Sequence, residues 1–402
     1  MRDMVSENAK RLEASPIRTI LDRAAALRAQ GRHVIPFSAG EPDFSTPETI
    51  KKAAMQAIQD NYSHYASNRG LPALRKILAK KIQAEFSVSY DPDSEILVTS
   101  SGAEALNNSI LTFVSPGDEV IIPTPAFVSY KNLVKFAGGK FIDVPLRPEN
   151  GFQLDADEIE QCISPRTKMI ILNNPNNPSG AVYSRSTLEK VAQLAVKYDL
   201  LVLSDEMYNR LVYAGAEFVS MASLPNMRER TIVVSGFSKS YAMTGWRLGY
   251  IAADKNLTAP LLKVHQYSTT CSPTFIQQGL VESLELPETE AAVQNMLAAF
   301  AARREIMLKG LQAIPDLTPV LPYGAFYVMV DVSATGLDGM AFATHLLEEY
   351  GVATVPAIGL GDSCKDYIRI SYAASDEDIK EGLRLMDAFI KSLEMAKKDS
   401  LS

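Results

Sequence analysis

Lys239 stands just past Ile232, Val233 and Val234, a short β-branched run that reads as a buried strand. An ammonium at the exit of such a strand is costly unless something uses it. A lysine held in a partly desolvated pocket shifts its pKa readily and condenses with carbonyls to Schiff bases. Eight residues on, Arg247 offers a planar, permanently charged fork of the kind that grips phosphate. An imine-forming lysine with a phosphate grip points to pyridoxal 5'-phosphate (PLP); a surface Lys and Arg near a turn is the plainer alternative. Asp205 supplies a third clue. It follows the apolar run Leu200 to Leu203, where a carboxylate needs a charged partner. A protonated pyridine nitrogen is such a partner and keeps the ring an electron sink, although an Asp there could also cap the next helix. Tyr208, three residues on, is placed to donate to the ring's phenolic oxygen.

The stretch Ser235 to Tyr250, SGFSKSYAMTGWRLGY, resembles the lysine motif of the class I and II aminotransferases, the aspartate aminotransferase-like members of PLP fold type I. That resemblance requires other residues elsewhere, and they occur in family order over nearly the whole chain. Asn174 to Gly180, NPNNPSG, matches N-P-N-N-P-[ST]-G and implies that the Asn177 amide meets the cofactor's phenolic oxygen at the edge of the substrate site. Tyr65, Gly70, Leu74 and Arg75 match Y-x-x-x-x-G-x-x-x-L-R. This implies a homodimer in which the Tyr65 hydroxyl reaches the partner's cofactor phosphate. Arg369, in R-I-S, is implied to pair bidentately with the substrate α-carboxylate. Gly40, in AGEPDF, is implied to bring its backbone against the same group, though a plain crossing loop would read alike. Phe127 sits where the family stacks an aromatic on the pyridine ring, and it reads almost as well as core. The pattern departs at one place. Many members carry a phosphate-binding serine three residues before the lysine, where this chain has Gly236, so that bond falls to Ser235 or Ser238.

The elements that must hold these residues alternate from about Glu95 to Gly249. Runs at 96–98, 120–122, 141–144, 169–172, 200–203 and 232–234 each read as a buried strand, and 248–253 as another. They make an α/β fold: a mostly parallel seven-stranded sheet covered by helices, the large domain of PLP fold type I, with a small α/β domain beside it. The polar residues follow the strand ends, where ligands bind in such sheets. After Ile96 to Val98, Ser101, Gly102 and Ala103 open a helix whose free N–H groups make a phosphate seat; alone, a small-residue turn says little. Thr46 reads as an N-cap with Pro47 at N1. Residues 1–14 read as a loose polar arm, 15–46 as the N-terminal part of the small domain, 47–288 as the large PLP-binding domain, and 289–402 as the C-terminal small domain. In the last, 324–332 and 367–372 read as strands and 376–396 as a closing amphipathic helix.

The 402 residues are 47% hydrophobic and 22% charged with a net charge of −7, which is ordinary globular composition. A mildly acidic chain without a basic block carries no nucleic-acid footprint. No apolar run approaches the ~18 residues of a spanning helix. Cys162, Cys271 and Cys364 stand far apart and the four histidines form no H-E-x-x-H, so neither a disulfide framework nor a metal is indicated and a cytoplasmic protein is expected. The expected activity is PLP-dependent transfer of an amino group from an L-amino acid to a 2-oxo acid, such as 2-oxoglutarate, by a ping-pong mechanism with Lys239 as base. A C–S lyase of the same fold is the alternative. An aminotransferase-like regulator would need a DNA-binding module, for which the residues ahead of the first helix are too few. No arginine stands at Gln266-Tyr267-Ser268, where dicarboxylate-specific relatives read a distal carboxylate. The cations near there are Lys263 and His265. With Ile17 and Tyr267 as apolar walls and Arg18 as the one complicating charge, a broad donor range including neutral and aromatic amino acids is expected.

Overall fold

The computed structural model describes residues 4–13, 16–213 and 215–399. The strands are β1 (Ile96–Thr99), β2 (Glu119–Thr124), β3 (Lys140–Pro145), β4 (Thr167–Asn173), β5 (Leu201–Asp205), β6 (Thr231–Gly236) and β7 (Gly249–Ala252). They form one sheet in the order β1-β7-β6-β5-β4-β2-β3. Only β7 runs against its neighbours, antiparallel to both β6 and β1. The other pairings are parallel. Crossover helices cover both faces of such a sheet, so its central strands are continuous apolar runs. The expected buried strand at 141–144 is instead half-buried β3. It is the last in the order and has a neighbour on one side only.

This topology carries the carboxyl ends of β1, β2, β4, β5 and β6 to one edge. Asn173 pairs in register with Asp205, and Asp205 with Val234, so two of the polar candidates are neighbours across the ladder. The helix Gly102–Phe113 starts directly after β1, with Ser101 as N-cap accepting from Glu104 N. Thr46 does not cap the helix that follows it. That helix is Glu48–Gln59, its N-cap is Pro47, and no side chain caps it. The Thr46 hydroxyl donates instead to Ala242 O at 2.7 Å, tying the 40–46 loop to the segment that carries Lys239.

A second, antiparallel sheet is built from β8 (Thr318–Pro319), β9 (Tyr327–Asp331), β10 (Val355–Pro356) and β11 (Tyr367–Ser371), in the order β10-β11-β9-β8. The expected strand at 324–332 begins late because Ala325 takes a left-handed φ of 56°. Arg369 sits mid-β11, opposite Met329 and Val355. Val328, Val330, Ile368 and Ile370 share an apolar cluster with Ile20, Leu27, Ile35 and Phe37 from the N-terminal helix Pro16–Ala29 and the turn after it. Each such fully buried side chain contributes about 1.5–3 kcal/mol. That cluster fixes the N-terminal helix at the mouth of the site described below.

Residues 4–13 of the N-terminal arm are exposed, and its residues 1–3 and 14 lie outside the described residues; the arm is tied down at Glu13. Glu13 bonds both Lys131 and Lys135, which stand one helical turn apart, and its N–H donates to Asn132 Oδ1 at 3.2 Å. The Lys135 bond leads in holding the Glu13 carboxyl below its usual value. Among the described residues, no helix is long and apolar enough to cross a membrane.

Candidate active site

One cavity of about 490 Å³ opens beyond the carboxyl edge of the large sheet. Its floor carries Lys239. The segment after β6 delivers Ser238, Lys239, Thr244 and Arg247 to the wall, and the Lys239 amine donates to Gly40 O. Burial pushes this amine down to about 8, the nearby Arg369 and Arg247 adding to the fall while Glu41 and Asp205 oppose it. A lysine so placed is available as a free base near neutral pH.

Asp205 lies at the end of β5, buried, with Oδ2 accepting from Tyr130 OH at 2.6 Å and Oδ1 from Met207 N at 3.1 Å. Burial raises its carboxyl, against the Tyr130 bond and the charge of Lys239. A cation delivered into the cavity would relieve that cost. Its sequence neighbour Glu206 faces away: its Oε1 accepts from Ser204 Oγ (2.8 Å), Ser220 Oγ (2.9 Å) and Met221 N (3.2 Å), while its buried Oε2 has no partner. Burial pushes the Glu206 carboxyl up to about 7.

Ser101, Gly102 and Ala103 line the cavity with the first turn of the Gly102–Phe113 helix. First-turn N–H groups have no intrahelical acceptor, and the dipole makes this end positive. The turn lies flat on β7 because Gly249 has no side chain: a Cβ there would stand 2.6 Å from Gly102 N. Arg247 closes the same end, in a left-handed conformation with its Nη1 donating to Thr244 O at 2.7 Å.

The opposite end belongs to Arg369, which is buried. Its Nη1 donates to Asn177 Oδ1 and its Nη2 to Ser38 O, both at 3.1 Å, and its Nε has no partner. Both acceptors are neutral. The guanidinium stacks 4.4 Å from the centre of the Tyr327 ring, whose hydroxyl bonds Tyr208 OH at 2.9 Å. A buried cation with neutral partners and an orphaned N–H is a site for an anion.

The family model for aminotransferase class I and II matches residues 32–385. The chain belongs to the class I and II aminotransferases. It is 39% identical to the aspartate aminotransferase of Pyrococcus abyssi, over 96% of this chain and 98% of that protein. It is 38% identical to aromatic-amino-acid aminotransferase 2 of Thermococcus litoralis, over 96% and 98% respectively. Among solved structures, the aspartate aminotransferase of Thermus thermophilus with maleate superposes with a TM-score of 0.92 at 38% identity, covering 96% of this chain and all of that one.

Aminotransferases of this family depend on PLP, and the residues present fit it. A lysine amine, a buried carboxylate that lacks a cation, a helix start beside an arginine and an arginine that lacks an anion all face one cavity. Of the residues expected from sequence, Gly40, Ser101, Gly102, Ala103, Phe127, Asn177, Asp205, Tyr208, Ser238, Lys239, Arg247 and Arg369 line it. Two do not. Ser235 points out of the cavity, its hydroxyl donating to Glu206 O at 3.2 Å, because alternation along β6 turns it to the other face. Of Ser235 and Ser238, Ser238 is the one that lines the cavity. Tyr65 is 86% exposed and away from its own chain's cavity. Of the residues near the substrate's far end, Tyr267 is 88% exposed and off the cavity wall. His265 is fully buried against Glu104, 2.7 Å away, and cannot meet a substrate. Ile17, Arg18 and Leu21 do line the mouth. Sequence reasoning missed Tyr130 and Tyr327, aromatics in apolar surroundings that read as core.

Proposed function

We propose that this aminotransferase moves an amino group from neutral and aromatic L-amino acids to 2-oxoglutarate by a ping-pong mechanism. The observation that carries the reading is Arg369, buried beside Lys239 with two neutral acceptors and an unpaired Nε. When bound, PLP supplies the electron sink that makes an α-proton acidic. Arg369 binds the substrate α-carboxylate, with the backbone at Gly40 beside it, and so presents the α-carbon to Lys239. Lys239 Nζ would act as the general base that takes the α-proton. With the cofactor bound, Asp205, held by Tyr130, would pair with the ring nitrogen. Tyr208 and Asn177 would serve the phenolic oxygen and Phe127 the ring, while Ser101 to Ala103, Ser238 and Arg247 would hold the phosphate.

The mouth supports the donor range. Ile17, Leu21, Phe127, Val128 and Leu360 give it an apolar wall, and Arg18 stands beside them. Apolar substrate side chains leave nothing there unpaired, so the site has no penalty with which to reject them. The reading includes a homodimer in which exposed Tyr65 reaches the partner's phosphate, and a cytoplasmic protein, which three free cysteines fit.

The test is a panel of single amino acids, each mixed with holoenzyme while the visible spectrum is followed, then 2-oxoglutarate. Conversion without acceptor and reversal by 2-oxoglutarate are expected; continuing release of pyruvate and ammonia from a cysteine conjugate without an acceptor would make it a lyase. An aspartate preference over alanine, phenylalanine and methionine beyond ~100-fold in kcat/KM, about 2.7 kcal/mol, would replace the proposed range with a dedicated distal cation, first of all Arg18.

A further inference from the structure

Glu104 is a carboxylate that the reading above does not use, and donors surround it. Its Oε1 accepts from His265 Nδ1 at 2.7 Å, Thr269 Oγ1 at 2.9 Å and Asn108 Nδ2 at 2.9 Å. Its Oε2 accepts from the backbone N–H of Ser100. His265 is fully buried, and its Nε2 meets no partner. With no acceptor at Nε2, the tautomer that satisfies this pair carries its proton on Nδ1. One carboxylate thus joins the last turn of the Lys255–Ser268 helix to the turn that opens Gly102–Phe113.

That turn needs holding. Ser101 takes φ 97° and ψ 161°, a backbone conformation that residues with side chains rarely adopt. Three contacts impose it. Thr99 Oγ1 donates to Ser101 O at 2.9 Å, Gly249 receives the turn from below, and Glu104 fixes Ser100 from the side away from the cavity. Glu104 also stands three residues into a helix whose start receives an anion, where its own charge would oppose the ligand. Four donors draw that charge to the far side.

We propose that Glu104 and His265 are positioning residues for the cofactor phosphate: together they lock the 99–103 turn so that its N–H groups face the cavity. The proposal rests on the reading that the phosphate sits at this turn and Arg247. Neither Glu104 nor His265 is among the residues that line the cavity. Their effect is therefore specific to the phosphate and absent for a ligand that lacks one.

The experiment resolves the full-length protein from its cofactor and titrates it with PLP and with pyridoxal, following protein fluorescence. His265→Leu removes a donor at nearly constant volume, and His265→Asn restores an N–H at the Nδ1 position. H265L is expected to weaken PLP by ~10-fold, the loss typical of a charge-assisted hydrogen bond, with pyridoxal changed less than ~2-fold. H265N is expected to recover most of the PLP affinity. Thr269→Val removes another donor on Glu104 and decides the matter if H265L does not fold; a smaller loss in the same sense is expected. Equal weakening of both ligands, or of neither, overturns the proposal, since general support of the fold would not tell them apart. Arg247→Gln separates this from the underlying reading. If R247Q leaves the PLP-to-pyridoxal ratio unchanged, the phosphate seat itself is wrong. If R247Q moves the ratio and the His265 and Thr269 variants do not, only the positioning role falls.

Discussion

Arg369 and Arg303 are both buried arginines packed on aromatic rings, and they are opposites in what they still need. Arg303, on the Pro287–Ala313 helix, holds Asp43 at 2.7 Å and Asp376 at 3.0 Å and stacks on Phe44 and Phe300. Its charge is met twice by the protein itself. Arg369 stacks on Tyr327 just as closely, but its acceptors are an amide and a backbone carbonyl. A charge so buried is expensive to leave without a counter-ion. The fold therefore carries a completed ion cluster that ties the 40–46 loop to the C-terminal helix Asp376–Asp399, and an incomplete one aimed into the cavity. The first is complete within the protein, and the second is the one proposed above to take a carboxylate from the substrate. The distinction lies in the partners, not in the depth of burial.

The largest expected effect breaks that contrast directly. Arg369→Leu removes the anion's partner while relieving the fold of an unpaired charge. It is expected to lower kcat/KM for every amino acid by ~10³-fold, on the order of 4 kcal/mol, with Tm unchanged or raised. Arg303→Leu should do the reverse. It strands two partly exposed carboxylates and a stack, so Tm falls by roughly 2–4 °C while kcat/KM changes less than ~10-fold. Calorimetry and initial rates on the two proteins check both arms; matching profiles would erase the distinction.

A second substitution sharpens it by turning one kind of arginine into the other. Asn177→Asp places a carboxylate where Arg369 now has an amide oxygen at 3.1 Å. The guanidinium then has an internal counter-ion, as Arg303 does. The variant is expected to gain thermal stability and to bind the substrate carboxylate ~100-fold more weakly, read as a rise in KM, because a charged competitor already occupies the fork.

Much of this contrast was legible in the sequence, and the part that was not has a physical reason. Lys239, Asp205 and Asn177 follow strand ends, and a polar residue directly after a buried apolar run marks the ligand edge of a parallel sheet without any tertiary knowledge. Arg369 alternates with Ile368 and Ile370, which marks only a strand; its role was legible through the resemblance of R-I-S to the family motif. Direction and partners were not. Whether Ser235 or Ser238 faces the cavity depends on where β6 stops alternating, and Gly236 is its last residue. The support of Asp205 by Tyr130 spans 75 positions, and no local pattern separates such a tyrosine from core. His265 reads as a cation near the substrate until Glu104 is seen against it, 161 positions away. The antiparallel run of β7 was also hidden, since burial on both faces gives the same apolar run in either direction.

The smallest expected effect tests whether the unpaired charge of Arg369 is felt elsewhere. Lys239 is pushed down to about 8 mainly by burial, and Arg369 is among the charges that add to the fall, whereas Arg303, neutralised by its two carboxylates, is not. In apoenzyme, trinitrophenylation of Lys239 followed against pH reads this amine. R369L and N177D should both move its midpoint upward from about 8, and R303L should leave it in place. The same shift appears in stability. Between about 8 and the ordinary value of 10.5 the unfolded chain binds a proton that the folded lysine does not. Stability contributed by this site therefore rises with pH through that window and is lowest below it. Raising the folded midpoint narrows the window, so R369L apoenzyme should gain less stability than wild type between pH 8 and 10, in urea melts at matched ionic strength. An unmoved midpoint in R369L and N177D would mean that solvent in the open cavity already screens Arg369, and that its charge is completed by water rather than held for a substrate.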